Sequence, residues 1–279
     1  MRKAEELFFK VLMIIATTII VGSFFLIVSN IVLKGLPALN WDLVTKTPDG
    51  GFYMGKEGGV LNAIIGSLYI ALGSSMLALV LSLPIVLYIN VYLKKSSSLS
   101  SITRLSSDVL FGIPSIVYGA FGFTIMIYFG LKASLLAGIV TVTLLVLPIM
   151  IRTMDEVMRT VPHELLDASY SLGATRLEAT KILLKQSIPG ILTAILLSFG
   201  RAIGDVASVM FTAGFSDNIP TGLDSPAPTL PLAIFFQLGS PIEEVQARAY
   251  ASALILTILV LLLSVSARIL SKRFSKNKI

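Results

Sequence analysis

RTMDEVMRTVPHELLDASYSLGATRLEATKILLKQS, Arg152 to Ser187, is a polar insert between two long apolar stretches, and its punctuation reads as helix, glycine turn, helix. Pro162 opens an amphipathic segment, His163 to Leu172, in which Leu165, Leu166, Ser169 and Leu172 recur at helical spacing. Gly173 stands where a helix needs a left-handed residue in order to stop. Thr175 with Glu178 three residues on forms a capping-box pattern for the next helix, which Pro189 is expected to interrupt. A compact, partly apolar elbow of this kind, held out of a membrane, is a shape for a soluble partner to grip.

The flanks of the insert make the membrane reading. Apolar residues are 55% of the chain and charged residues 14%, and the mean hydropathy is +0.87, well above a soluble domain with roughly 45 to 50% apolar residues. A helix crosses the hydrocarbon core with roughly 20 apolar residues. Stretches of that kind run from about Val11 to Leu33, Val60 to Leu93, Leu105 to Phe129, Ala133 to Ile151, Ile188 to Phe215 and Tyr250 to Leu270. The expected fold class is therefore an all-α integral membrane protein with six transmembrane helices. The first stretch is too long for a signal-peptide core and no small-x-small cleavage site follows it, so it reads as a retained helix.

Lysine and arginine set the orientation. Of 22 such residues, a cytoplasmic N-terminus leaves Lys34, Lys46, Lys56, Lys132 and Arg248 outside, puts Arg201 within a span, and places all the others inside. Both termini and the elbow are thus expected to be cytoplasmic. The net charge of +6 describes this membrane-facing rim beside anionic lipid, and nothing calls for nucleic acid. With no cysteine, disulfides, thiol catalysis and thiolate metal sites are excluded. His163, the one histidine, reads as a surface or capping residue at a helix start.

Between the spans, residues 40–59 form an external loop with Trp41 and Tyr53 placed for an interface, and Lys94-Lys95 with the serines after them read as a cytoplasmic linker. The segment Ser216 to Arg248 carries a short apolar patch, Leu230 to Leu238, that reads either as a re-entrant or interfacial helix or as a short buried helix in a loop. Pro84, Pro114 and Pro148 fall inside spans, where they kink helices.

The fifth span carries Ser198, Arg201, Asp205, Ser208 and Thr212 three or four apart, on one face of one expected helix. An intramembrane arginine needs a partner, and Asp205 is one turn away. One reading is a packing pair helped by Gly200 and Gly204 as a close-approach motif. The other makes Arg201 the positive charge that admits an anion and Asp205 the group that loosens its hold. Catalysis has little support: Asp155-Glu156 and Glu243-Glu244 are sequence neighbours that read as solvated surface, and no G-x-x-x-x-G-K-[ST] loop exists. Nucleotide energy would have to come from another subunit.

DASYSLGATRLEATKILLKQSIP, Asp167 to Pro189, resembles the cytoplasmic loop of ATP-binding-cassette importer permeases, whose pattern is Glu-Ala-Ala, three residues, Gly, then an apolar residue and Pro. Asp167, Ala168, Ser169 and Gly173 fall on it, with Asp for Glu, Ser for the second Ala, and Pro189 three residues late. FGIPSIVYGAFGF (Phe111 to Phe123), LPIMIRTMDEVMRTVPHELLDASYSLGAT (Leu147 to Thr175) and GRAIGDVASVMFTAG (Gly200 to Gly214) resemble the phosphate permease subunits in particular, and the resemblance covers about Gly58 to Leu270. GRAIGD matches that group's Arg-x-x-Gly-Glu with Asp for Glu; the Phe-Thr-Ala after it and the modest first loop favour the PstA type of subunit over its PstC-type partner.

The resemblance implies a type I importer permease fold with cytoplasmic coupling helices in a prokaryotic cytoplasmic membrane. It divides the chain into a first span and loop (1–59), a permease body (60–270, with the coupling loop 152–187) and a basic tail (271–279). The implied partners are a second homologous permease (PstC type), a dimer of cassette ATPases (PstB type), an external phosphate-binding protein (PstS type), phosphate and membrane lipid. No cofactor is expected in this chain, ATP-Mg being bound by the ATPase. By the same resemblance Glu164, Asp167, Ala168, Ser169 and Gly173 couple to the ATPase, while Arg201, Asp205, Ser208 and Thr212 give the translocation path its polarity. A permease for another oxyanion, such as molybdate or sulfate, an ATPase-independent ion-coupled transporter or channel, and a signalling scaffold are the other readings.

Overall fold

The computed structural model describes residues 2–49, 57–93 and 97–275. Tyr53, Lys56, the Lys94-Lys95 pair and residues 276–279 of the tail lie outside them. The described chain is helical almost throughout, with one two-residue hairpin, β1 (Pro48–Asp49) paired antiparallel with β2 (Glu57–Gly58).

Helix α1 (Arg2–Gly35) contains the first expected span. Its residues from Glu5 to Ile27 are exposed on every side, which suits a helix whose solvent is lipid. It meets the rest of the chain near its end, where Gly35 lies so close to the Tyr250 carbonyl that a side chain could not fit. A short helix α2 (Trp41–Thr45), capped by the Asn40 carboxamide accepting from the Leu43 N–H at 2.7 Å, leads to α3 (Leu61–Leu87). One face of α3 is lined by small residues, among them Ala63, Gly66, Ser67, Ala71, Ser74 and Ala78, all buried. Small side chains let helix backbones approach closely, and this is how membrane helices associate when lipid removes the hydrophobic drive between them. α3 ends in a π-helical turn, Tyr88–Tyr92.

The third expected span is corrected. In place of one helix there are two, α4 (Ser98–Phe111) and α5 (Ser115–Tyr128), bent by 100°. Pro114 has no N–H to give, and its ring pushes Ile113 out of helical geometry. The bend is braced by the Tyr118 hydroxyl donating to the Leu110 carbonyl at 2.8 Å. α4 also claims Ser98 to Ser101 from what was expected to be linker.

Helix α6 (Leu135–Arg159) runs through Pro148 and past Ile151, two turns into the polar insert. After the elbow helix α7 (His163–Ser171), helix α8 (Arg176–Ile203) begins well before Ile188 and runs straight through Pro189, so the expected interruption there does not occur. At 1.5 Å per residue, helices of 25 and 28 residues are about 37 and 42 Å long against a core of about 30 Å, so their elbow ends project from it. The fifth span differs at its other end too: the helix stops at Ile203, and residues 204–215 are irregular. Helix α9 (Leu230–Leu238) is the short apolar patch, with Leu230, Leu232 and Ala233 fully packed and its first N–H taken by the Ser67 hydroxyl at 2.8 Å. Helix α10 (Glu243–Ser275) extends the sixth span at both ends.

Among the described residues five helices are long and apolar enough to cross a membrane, and six crossings result if the bent pair α4 with α5 counts as one broken span. The core lies where α3, α6 and α8 meet, around Ile70, Val86, Val142, Val146, Met150, Met154 and Leu183. A smaller cluster, Leu43, Val60, Ala63 and Leu230 with Ala251, packs the end remote from the elbow.

Candidate functional site

The elbow is built from local rules. α7 ends in a Schellman arrangement: the Gly173 N–H donates to the Tyr170 carbonyl at 2.9 Å and the Ala174 N–H to that of Ser169 at 3.0 Å, with Gly173 at φ +84°. The capping box is closed in both directions. Glu178 accepts from the Thr175 N–H at 2.7 Å, and the Thr175 hydroxyl oxygen accepts from the Glu178 N–H at 3.4 Å. Leu166 packs against the bundle core, and Ser169 is buried with its hydroxyl donating to the Leu166 carbonyl at 2.7 Å.

The remaining candidate elbow residues point away from the bundle. Glu164, Asp167, Ala168 and Gly173 are exposed, and so are Leu165, Tyr170 and Leu172, the last at 89%. The spacing grouped Leu172 with Leu166, but it follows the last helical turn and faces out. An acidic and apolar ridge therefore projects from the end of α6 and α8.

The polar stripe of the fifth span does not lie on one helix. Gly204 caps α8, and Asp205 starts a new turn by accepting from both the Ser208 N–H (2.8 Å) and the Ser208 hydroxyl. A short polar side chain bonding to the backbone three residues on competes with helix continuation, which is why the helix stops here. Irregular backbone at membrane depth must be satisfied by protein. Here the Thr212 carbonyl accepts from the Ser134 N–H at 2.9 Å and the Ala213 carbonyl from the Ala227 N–H at 2.8 Å.

Ser198, Asp205, Ser208 and Thr212 are buried, and the Thr212 hydroxyl donates to the Ser208 carbonyl at 2.9 Å. Arg201 alone is open: its side chain is 45% exposed, and its guanidinium stands 3.6 Å from Asp205, longer than a hydrogen bond. Among the described residues, a side-chain carbon at Gly200 would meet nothing within 4 Å and one at Gly204 only the Gly200 carbonyl, so neither glycine packs against another helix of this chain. The arrangement leaves a positive charge partly uncompensated at a helix break, beside a carboxylate whose second oxygen is already engaged.

A third cluster escaped the sequence reading, which put Asp155 on solvated surface. Asp155 is 5% exposed. Arg104 grips it with two bonds, Nε to Oδ2 at 2.7 Å and Nη2 to Oδ1 at 3.0 Å, and Asn90 Nδ2 donates to Oδ1 at 2.8 Å. The legible signal was periodicity, because Asp155 lies one turn from Ile151 and from Met158 on the buried face of α6.

Against known proteins, the family described as "binding-protein-dependent transport system inner membrane component" matches residues 81–277. The phosphate transport system permease protein PstA of Yersinia pestis is 36% identical over 265 residues, covering 94% of this chain and 88% of that protein. PstA of Xylella fastidiosa is 34% identical over 249 residues, covering 88% and 84%, and PstA 2 of Mycobacterium bovis 31% over 246 residues, covering 87% and 79%. In fold, the chain is similar to a subunit of the MetNI methionine ABC transporter in an inward-facing conformation. The TM-score is 0.62 at 19% identity, over 77% of this chain and 95% of that one.

Proposed function

Because the chain belongs to the family of binding-protein-dependent transport system inner membrane components, we propose that it is the transmembrane subunit of an ATP-driven importer of inorganic phosphate. The permease relatives along nearly the whole chain support the substrate. Arg201, a partly uncompensated cation at a break in α8, suits an oxyanion, and discontinuous helices are where transporters form their sites. The observation that carries the mechanism is the elbow: an outward-facing α7, closed at its C-terminus by the Gly173 turn, with uncovered Leu165, Tyr170 and Leu172.

In this reading Glu164, Asp167, Ala168 and Ser169, with Gly173 holding the turn, form the docking element for a cassette ATPase. ATP with Mg binds and is hydrolysed there, outside this chain. Closure of the ATPase dimer pushes the elbow, α6 and α8 carry the displacement into the bundle, and the path past Arg201 and Asp205 opens alternately to the two sides. Ser208 and Thr212 hold the backbone at that path. A second permease of the PstC type, PstB-type ATPases and a PstS-type external phosphate-binding protein complete the machine. Both termini and the elbow are cytoplasmic, following the lysine and arginine distribution.

The test is labelled phosphate uptake by vesicles holding the chain with its partner subunits. Uptake that requires internal ATP, and that excess sulfate or molybdate fails to compete away, is expected. Uptake by this chain alone, without an ATPase, would overturn the reading.

A further inference from the structure

We propose that the buried Asp155 cluster is the mechanical link between the elbow and the anion path, with Asp155 a positioning residue for coupling; this rests on the transport reading above. Asp155 lies one turn before the end of α6, and its two oxygens tie α6 to Arg104 on α4 and to Asn90 in the π-helical turn that ends α3. The elbow's other foot reaches the same turn: Arg176, the first residue of α8, donates to the Tyr92 carbonyl at 3.4 Å. Just inside, α6 and α8 cross so closely that a side-chain carbon at Gly190 would come within 2.1 Å of Val157.

Both feet of the elbow and the end of α3 are thereby clamped into one body, and Arg104 adds α4 to it. α4 leads to the 100° bend, which the Tyr118-to-Leu110 hydrogen bond braces. Beyond the bend, α5 presses Gly119 against the backbone of Ala207 and Ser208, where an added side-chain carbon would meet the Ala207 carbonyl at 2.6 Å. Ser208 is the residue that Asp205 caps. A contiguous set of contacts thus runs from α7 to the Arg201 and Asp205 pair, and the charged joint between α6 and α4 within it is the buried Asp155 with the partly buried Arg104. Removing the Asp155 charge leaves Arg104 without its counter-charge and loosens the tie between α4 and α6. The neighbouring Arg152 to Asp108 pair, 3.2 Å apart and about half exposed, marks the same α4 to α6 seam at its solvated edge.

The experiment reads anion uptake per ATP hydrolysed in vesicles holding the assembled complex. Asp155→Asn keeps the shape and the bond from Asn90 and removes the charge that Arg104 grips. Its ATP hydrolysis should stay within about twofold of wild type while uptake falls about tenfold. Uptake and hydrolysis that are both unchanged, or that fall in proportion, would overturn the proposal.

A second measurement stands whether or not that variant folds. The chain has no cysteine, so Asp108→Cys with Arg152→Cys can be bridged by a short bis-maleimide without a competing thiol in this subunit. If α4 and α6 move as one body, bridging leaves wild-type uptake intact and restores the ratio in Asp155→Asn. If bridging stops uptake while ATP is still hydrolysed, α4 must slide past α6 and the link is refuted. A wild-type complex that moved a different oxyanion would change the substrate assigned above and not this result, since the ratio is then read with that anion.

Discussion

Arg201 and Gly173 fix what single residues contribute. Arg201 is held 3.6 Å from Asp205, too far for a hydrogen bond, with nearly half of its side chain open, so its charge is left to meet a ligand. Replacing it by glutamine should leave the complex assembled and cut phosphate uptake about tenfold or more, since a hydrogen bond to a charged group is worth roughly 1.5–3 kcal/mol. Loss of assembly, measured by co-purification of the subunits, would assign the pair to packing. A side-chain carbon at Gly173 would meet nothing within 4 Å, and φ is +84°, so what opposes Gly173→Val is the left-handed backbone, at least about 1–2 kcal/mol for a branched side chain. The variant should reach the membrane at the normal level, seen by immunoblot, and lose uptake because the elbow no longer turns at its set angle. Gly173 and the Thr175–Glu178 box were legible in the sequence because their partners lie within five residues. Asp155 was not, because Asn90 and Arg104 lie 65 and 51 residues away and nothing local announces them.

Elements were legible as apolar runs and misjudged where one polar side chain redirects the backbone. The composition of residues 105–129 and 188–215 demands a span, and both stretches are interrupted in the fold, at Pro114 and at Gly204–Asp205. In the first, a missing N–H ends the helix. In the second, Asp205 draws the Ser208 N–H into a new turn. Pro189, by contrast, sits inside α8 without ending it. Close approach between elements is equally specific: a side-chain carbon at Gly66 on α3 would lie 2.0 Å from the Pro228 carbonyl. Gly66→Val should therefore separate α3 from the segment leading into α9 and lower the yield of folded, detergent-extracted protein severalfold, as overpacking costs of about 1–3 kcal/mol or more imply. An unchanged yield and unfolding temperature would show that this seam is not fixed.

At the scale of the molecule, a bundle of α3, α6 and α8 carries a bent third span on one side, α1 standing in lipid on another, and a projecting elbow at one end. The multi-pass permease was legible from composition and from the resemblance of the elbow; how the elbow's feet join the third span was not, since that depends on packing between distant segments. The central claim is that α7 receives work from a nucleotide-hydrolysing neighbour. Ala168→Cys places the chain's only thiol on the exposed face of α7, and cross-linking from it in membranes during turnover tests the claim most directly. The account predicts a covalent product with the cassette ATPase whose yield changes with ATP. Products with lipid or with this chain alone, under every nucleotide condition, would contradict it.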